Sequence, residues 1–296
     1  MPSKVRSIGE LVRISSDYLK EKGVESPRLT AEVLLAHQLS TDRVSLYLNF
    51  DNPISDYDLS GYRGLVVRRA KGEPLQYITG VREFWSLDFI VNHNVLIPRP
   101  ETELLVEQTL AAAKGLGASK EIKILELGTG SGAVAVSIAR EVPGCRVWAT
   151  DISKGALEVA RENALRHGVA DNITFVEGDL FEPFRGGSIY FDLIVSNPPY
   201  VSDEEWKDLP VEIKFHEPKV ALYGGTDGIQ LIDLIVKEAH ELMHPDGRLF
   251  LEMAPHQTQK VMYLMGSSGA YGDVVRIRDY AQRFRIVKAR KRKTYA

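Results

Sequence analysis

From residue 101 onward the chain alternates between short apolar runs and stretches of helical period, and this restricts the fold more than any other feature. A helix expected over 101–113 leads into "IKILEL" and the glycine loop "GTGSG". Another helix precedes "RVWAT", which ends at Asp151, and a helix over 153–167, closed by Gly168, precedes "ITFVEGD". Then come "FDLIVS", a long loop, a helix over 228–243, "RLFLEM", a helix near 256–265, and the runs "DVVRIRD" and "RFRIVKA". Strands separated by helices imply an α/β fold, a parallel sheet wound on both faces through right-handed crossovers. The last two runs are joined too closely for a crossover, so they are expected as an antiparallel hairpin at one edge.

The first 72 residues lack this alternation. Ile8, Leu11, Val12, Tyr18 and Leu19 share one helical face, Ser26 and Pro27 read as the start of a second helix, and "SDYD" at 55–58 resembles a capping box. A compact helical bundle is expected over 1–72, a hairpin-like connector over 73–95, and the α/β domain over 96–296. The connector carries "FWSLDFIVN", whose Phe84, Leu87, Phe89 and Val91 alternate as in a strand.

Composition narrows the function. Cys145 is the only cysteine, so neither an intramolecular disulfide nor a thiolate zinc cluster is available. No apolar run approaches the ~20 residues of a membrane span and the first residues lack a signal-peptide core, which makes the cytoplasm the expected compartment and a membrane partner unexpected. Residues 73–282 carry 19 Lys and Arg against 31 Asp and Glu, which disfavours a broad phosphate-binding surface and any stable nucleic-acid complex. The basic end, "KARKRKTYA", is expected as a frayed terminus.

In "ELGTGSG" the glycines Gly128, Gly130 and Gly132 let backbone approach a ligand where a strand turns into a helix, with Thr129 and Ser131 between them. Glu126 precedes the loop, Asp151 ends the next strand, where it can hold ribose hydroxyls, and Asp179 ends the third, where it can accept from an adenine amino group. A carboxylate at Glu126 would repel a pyrophosphate cofactor. S-adenosylmethionine (AdoMet) has no phosphate and carries ammonium and sulfonium charges, so it suits these acids better.

"HELMH" at 240–244 matches the His-Glu-x-x-His pattern of zinc proteases. Pro245-Asp246-Gly247 ends the expected helix at once and no third ligand follows, so no metal is expected.

After "FDLIVS" come Asn197, Pro198, Pro199 and Tyr200. Two prolines end the strand at the sheet edge where α/β folds bind ligands. An amide side chain and proline-restricted carbonyls form a rigid set of acceptors for a planar NH2 group, on which Tyr200 can stack. That is a catalytic and substrate-binding arrangement for these four residues, with Asn197 also touching the cofactor.

These residues, with "GEPLQYITGVREF" at 72–84, "VLIPRPETE" at 95–103, "EPKVALYGGTDG" at 217–228 and "LFLEMAPHQ" at 249–257, make the sequence resemble the release factor glutamine methyltransferase (HemK/PrmC) family. The resemblance covers nearly the whole chain. It implies AdoMet-dependent methylation of the glutamine side chain in the GGQ motif of peptide-chain release factors, by a seven-stranded Rossmann-like domain behind a helical N-terminal domain that recognises substrate. Leu180 stands where some members place an aromatic against adenine. Arg99, Glu101 and Glu217 are further site candidates, each equally suited to a structural ion pair. The acid-rich loop 201–226, without helical period, is expected as a lid or substrate contact. A DNA or RNA amino-methyltransferase would share the cofactor site and "NPPY". A non-catalytic nucleotide binder would need only the glycine loop.

Overall fold

A computed structural model of the chain describes residues 6–117 and 121–293. In chain order the elements are α1 (Ile8–Glu21), α2 (Pro27–Gln38), α3 (Arg43–Leu48), α4 (Asp56–Ala70), α5 (Leu75–Thr79), β1 (Val81–Phe84), β2 (Leu87–Ile90), α6 (Glu103–Lys114), β3 (Lys123–Leu127), α7 (Ala133–Glu141) and β4 (Arg146–Asp151). There follow α8 (Lys154–Arg166), β5 (Ile173–Glu177), β6 (Phe191–Ser196), α9 (Asp203–Asp208), α10 (Val211–His216), α11 (Gln230–Glu238), β7 (Met243–Glu252), α12 (Thr258–Ser267), β8 (Tyr271–Arg278) and β9 (Phe284–Lys291).

The chain forms two compact units, Met1–Val81 with Pro210–His216, and Arg82–Leu209 with Glu217–Ala296. The boundary expected at residue 72 is thereby moved: α5 belongs to the helical unit, and so does α10, which lies far along the chain. Arg69, almost fully buried, accounts for the second part by donating to Glu212 of α10 at 2.8 Å. The helical unit packs Leu11, Leu19, Leu34, Leu35 and Tyr62 into its own core. Its buried Glu32 accepts from Arg28, Arg43 and Tyr47, a polar knot that the apolar pattern does not reveal. Ser55 caps α4 as expected, accepting from Asp58 N–H at 3.1 Å. Ser26 stands before α2 but with φ of 47° and no side-chain cap, so only its position is as read.

In the larger unit the sheet order is β5-β4-β3-β6-β7-β9-β8, parallel from β5 to β7, with β9 antiparallel to β7 and β8 at the edge. The terminal hairpin is therefore present, inserted so that β9 lies inside the sheet. It also removes the frayed tail: "KARK" is strand through Lys291, and residues 294–296 lie outside the described residues. β1 and β2 form the expected hairpin, turning at Trp85 and Ser86 with φ of 52° and 55°, the left-handed pair of a tight two-residue turn. Alternation along β3, β6 and β7 feeds two cores. Ile124, Leu193, Val195 and Phe250 face one side, and Leu125, Ile194, Leu249 and Leu251 the other. Among the described residues no helix is long and apolar enough to cross a membrane.

Two expectations fail here. The loop 201–226 contains α9 and α10, too short for a helical period to register in the sequence. The helix expected over 228–243 ends at Glu238, and "HELMH" is divided between a 3-10 turn over Ala239–Leu242 and β7. His240 and His244 consequently do not share a helical face. Their rings pack on Tyr271 and Tyr190 respectively.

Candidate active site

A cavity of about 510 Å³ opens at the carboxyl edge of the parallel strands. Gly128 and Gly130, both at positive φ, form part of its floor, and a Cβ at either would meet nothing within 4 Å, so the ligand side of the loop is open. Asp151 closes one side. Its two oxygens accept from the N–H groups of Gly130 and Ser153, each at 2.9 Å, which ties the end of β4 to the glycine loop. Burial raises the Asp151 carboxyl against the effect of those bonds. Asp179 and Leu180 line the next wall, Leu180 at a φ of 46° that is unusual for a branched side chain.

Glu126, Thr129, Ser131 and Gly132 do not line the cavity. Glu126 is 3% exposed and reaches under the loop, where its Oε2 accepts from Thr129 Oγ1 at 2.6 Å and from Ala135 N–H at 3.1 Å. Burial pushes its carboxyl up to about 8 despite those bonds. The charge expected of Glu126 at neutral pH is thus suppressed, and the acids that face the ligand space are Asp151 and Asp179. Gly132 is needed for packing, since a Cβ there would lie 3.1 Å from that of Ala160.

The opposite wall is Asn197 and Pro199. Asn197 Nδ2 donates to Thr102 Oγ1 at 3.1 Å, and no described residue donates to its Oδ1. Pro198 is buried, and Tyr200 packs into the second core, where burial pushes its hydroxyl up to about 12. Neither lines the cavity, so the stacking expected of Tyr200 is not what this arrangement shows. Its backbone carbonyl is instead held by Gln257 Nε2 at 2.9 Å.

The remaining motif residues serve this wall from behind. Val201 exchanges backbone bonds with Leu222 and Gly224 of the "LYGG" segment, and a Cβ on Gly224 would sit 2.6 Å from the Pro199 carbonyl oxygen and 2.7 Å from Tyr200 Cα. Only glycine allows that approach. Arg99 pairs with buried Glu217 at 2.5 Å, Glu217 also accepts from Ile97 N–H at 3.2 Å, and Glu101 lies 3.5 Å from Arg283. All three are ion-pair partners. Sequence reasoning left out several residues of the site. Ile152, an apolar side chain 56% exposed directly after Asp151, lines the cavity, as do Asn94, Lys219 and Tyr223. Thr102 and Glu252 lie in motifs that were visible, but nothing local assigned them a part.

A seven-stranded Rossmann-like sheet with a glycine loop at its first parallel turn, and an amide at the end of the neighbouring strand, defines the methyltransferase class. A family model of the PrmC N-terminal domain matches residues 10–80, and one of the methyltransferase small domain matches residues 100–225. A release factor glutamine methyltransferase of Geobacter sulfurreducens is 44% identical over 266 residues, 90% of either chain. One of Chlorobaculum tepidum is 41% identical over 283 residues, 94% of this chain and 95% of the relative. The chain belongs to the release factor glutamine methyltransferase family. The fold is shared with a methyltransferase from Pyrococcus furiosus, at a TM-score of 0.51 and 22% identity over 71% of this chain and 91% of that one.

Proposed function

We propose that the chain transfers a methyl group from AdoMet to the side-chain amide nitrogen of the glutamine in the GGQ motif of peptide-chain release factors. The observation that carries this reading is the cavity-lining Asn197 amide, whose NH2 end is taken by Thr102, which leaves its oxygen as an acceptor. The cavity residues fit AdoMet: open glycine backbone, two acids and apolar Ile152 and Leu180, which suit ribose hydroxyls and an adenine face better than a pyrophosphate. Gly128 and Gly130 would flank its methionine part, Asp151 its ribose, and Asp179, Leu180 and Ile152 its adenine.

When bound, AdoMet supplies an electrophilic methyl group, which the amide nitrogen takes as the carbon–sulfur bond breaks and its electron pair stays on sulfur. A glutamine nitrogen is a poor nucleophile because its lone pair is delocalised into the carbonyl. In this reading Asn197 Oδ1 accepts an N–H bond of the substrate amide, while Pro198, buried behind the cavity wall, shapes the turn and does not grip the second N–H as expected. The Asn197 contact orients the nitrogen and stabilises the positive charge that grows on it. Pro199 keeps the turn rigid, and the nitrogen's extra proton leaves to solvent. The helical unit supplies further contact to the protein substrate, whose binding energy can fix orientation.

The test uses methyl-labelled AdoMet with an intact release factor, the same factor with GGQ changed to GGE, and duplex or single-stranded nucleic acid. Label should enter the first substrate alone. Label in nucleic acid, with activity falling steeply as salt rises, would assign the protein to base methylation instead.

A further inference from the structure

Thr102 lies in the turn before α6, between the ends of β6 and β7. Ser196 is opposite Leu251 in the sheet register, so Asn197 and Glu252 stand one step further along neighbouring strands. Thr102 Oγ1 bridges them, at 3.1 Å from Asn197 Nδ2 and 3.1 Å from Glu252 Oε1. A threonine hydroxyl has one proton to give, and an ionised carboxylate can only accept. The Thr102 proton therefore goes to Glu252. What remains for Asn197 is a lone pair on Oγ1, which only its NH2 end can fill.

Glu252 is 1% exposed, and its Oε2 has no hydrogen-bond partner among the described residues. A buried carboxylate left half satisfied is costly, and a residue without charge would pack there at less expense. Packing alone does not account for it.

We infer that Thr102 and Glu252 are positioning residues that fix the flip of the Asn197 amide, so that the cavity is offered an acceptor and not a second NH2 group. The inference rests on the proposed function for what is gripped, and it adds a source of specificity. A reversed Asn197 would set donors against the NH2 of glutamine and would favour a carboxylate instead. The orientation is thus part of what separates glutamine from glutamate.

The groups around Glu252 make the device sensitive to pH. Burial raises its carboxyl to about 7, against the Thr102 bond and Arg285, with Glu101 adding to the rise. Tyr200 faces the same group of charges, and Arg285 on β9 is itself held by Asp279 at 3.2 Å. A protonated Glu252 can donate to Thr102, whose own proton is then free for Asn197 Oδ1, and the amide loses its fixed sense. Turnover at saturating AdoMet should therefore rise with pH through about 7.

The experiment compares Thr102→Val, Thr102→Ser and Glu252→Gln with the parent, reading kcat, AdoMet Kd and the 15N–1H signals of the Asn197 side chain. Thr102→Val should lower kcat about 10–30-fold with Kd changed less than about twofold, and should shift the Asn197 NH2 signals away from their hydrogen-bonded position. Thr102→Ser, which keeps the hydroxyl, should recover both. Glu252→Gln should flatten the rise of kcat through neutral pH. The inference is overturned if Thr102→Val leaves kcat and the NH2 signals unchanged, if Thr102→Ser is as impaired as Thr102→Val, or if the pH dependence survives in Glu252→Gln. A parent protein that methylates no glutamine would overturn the proposed function, and the NMR signals alone would then decide the orientation.

Discussion

The two walls of the cavity are built on the same device and differ in how far along the chain it reaches. On the cofactor side a buried carboxylate, Glu126 at the end of β3, holds the hydroxyl of Thr129. On the acceptor side another, Glu252 at the end of β7, holds the hydroxyl of Thr102. Glu126 finds both its partners within nine residues, because strand, loop and helix are consecutive, and it braces the backbone that lines the cavity. Glu252 and Thr102 are 150 residues apart, and what they brace is a side chain. Holding a cofactor asks for a shaped backbone, which a local sequence can make. Orienting one amide asks for side chains brought from elsewhere in the fold, and only the sheet can bring them.

Substitutions on each wall should separate these tasks. Asn197→Ala should lower kcat by a factor of ~100 or more with AdoMet binding nearly intact, as for loss of one preorganised polar contact. A fall of less than about fivefold would remove the gripping role. Asp151→Ala should weaken AdoMet binding by ~1.5–3 kcal/mol in calorimetry, through loss of a charge-assisted acceptor. Unchanged affinity in a folded variant would take Asp151 out of the site. Gly224→Ala forces backbone apart behind Pro199 and should cost about 10-fold in kcat without weakening AdoMet binding. If AdoMet binding suffers more than turnover, the two walls are not separate.

The smallest effect is on stability. The Glu126 carboxyl is raised from 4.5 to about 8, so the folded chain holds a proton that the unfolded chain has released. Its contribution to stability falls as pH climbs between those values and is level above about 8. Glu126→Gln should abolish that slope and stabilise the protein at pH 8 by about 1–2 kcal/mol, with the remaining slope through neutrality owed to Glu252. Urea unfolding at several pH values checks this, and an unchanged slope would mean that Glu126 is ionised in the fold.

The same difference in reach decides what the sequence revealed. The strand–helix alternation, the glycine loop and Asp151 are short-range patterns, and from them the sheet, its terminal hairpin and one wall of the cavity follow. "NPPY" was legible as a rigid turn at the sheet edge, yet which of its residues line the cavity was not. Tyr200 is core and a backbone anchor for Gln257, because the strand's alternation and the clamp from "LYGG" turn it inward. Arg99 and Glu101 suited a site role or a structural ion pair equally in the sequence; in the fold they pair with Glu217 and Arg283, and Thr102 beside them donates to Glu252. Those partners are on other elements, so spacing could not show them. Helices α9 and α10 were missed because six residues do not complete two turns. The domain boundary was missed because residues 210–216 return to the helical unit from far along the chain.

The central claim is that holding the cofactor and orienting the acceptor are independent. A double-mutant cycle of Asp151→Ala and Asn197→Ala, read on kcat/KM for AdoMet with an intact release factor, tests it most directly. Independent walls predict that the two losses add to within ~0.5 kcal/mol. A coupling of more than about 1 kcal/mol would show that the two side chains act as one unit, and would contradict the account.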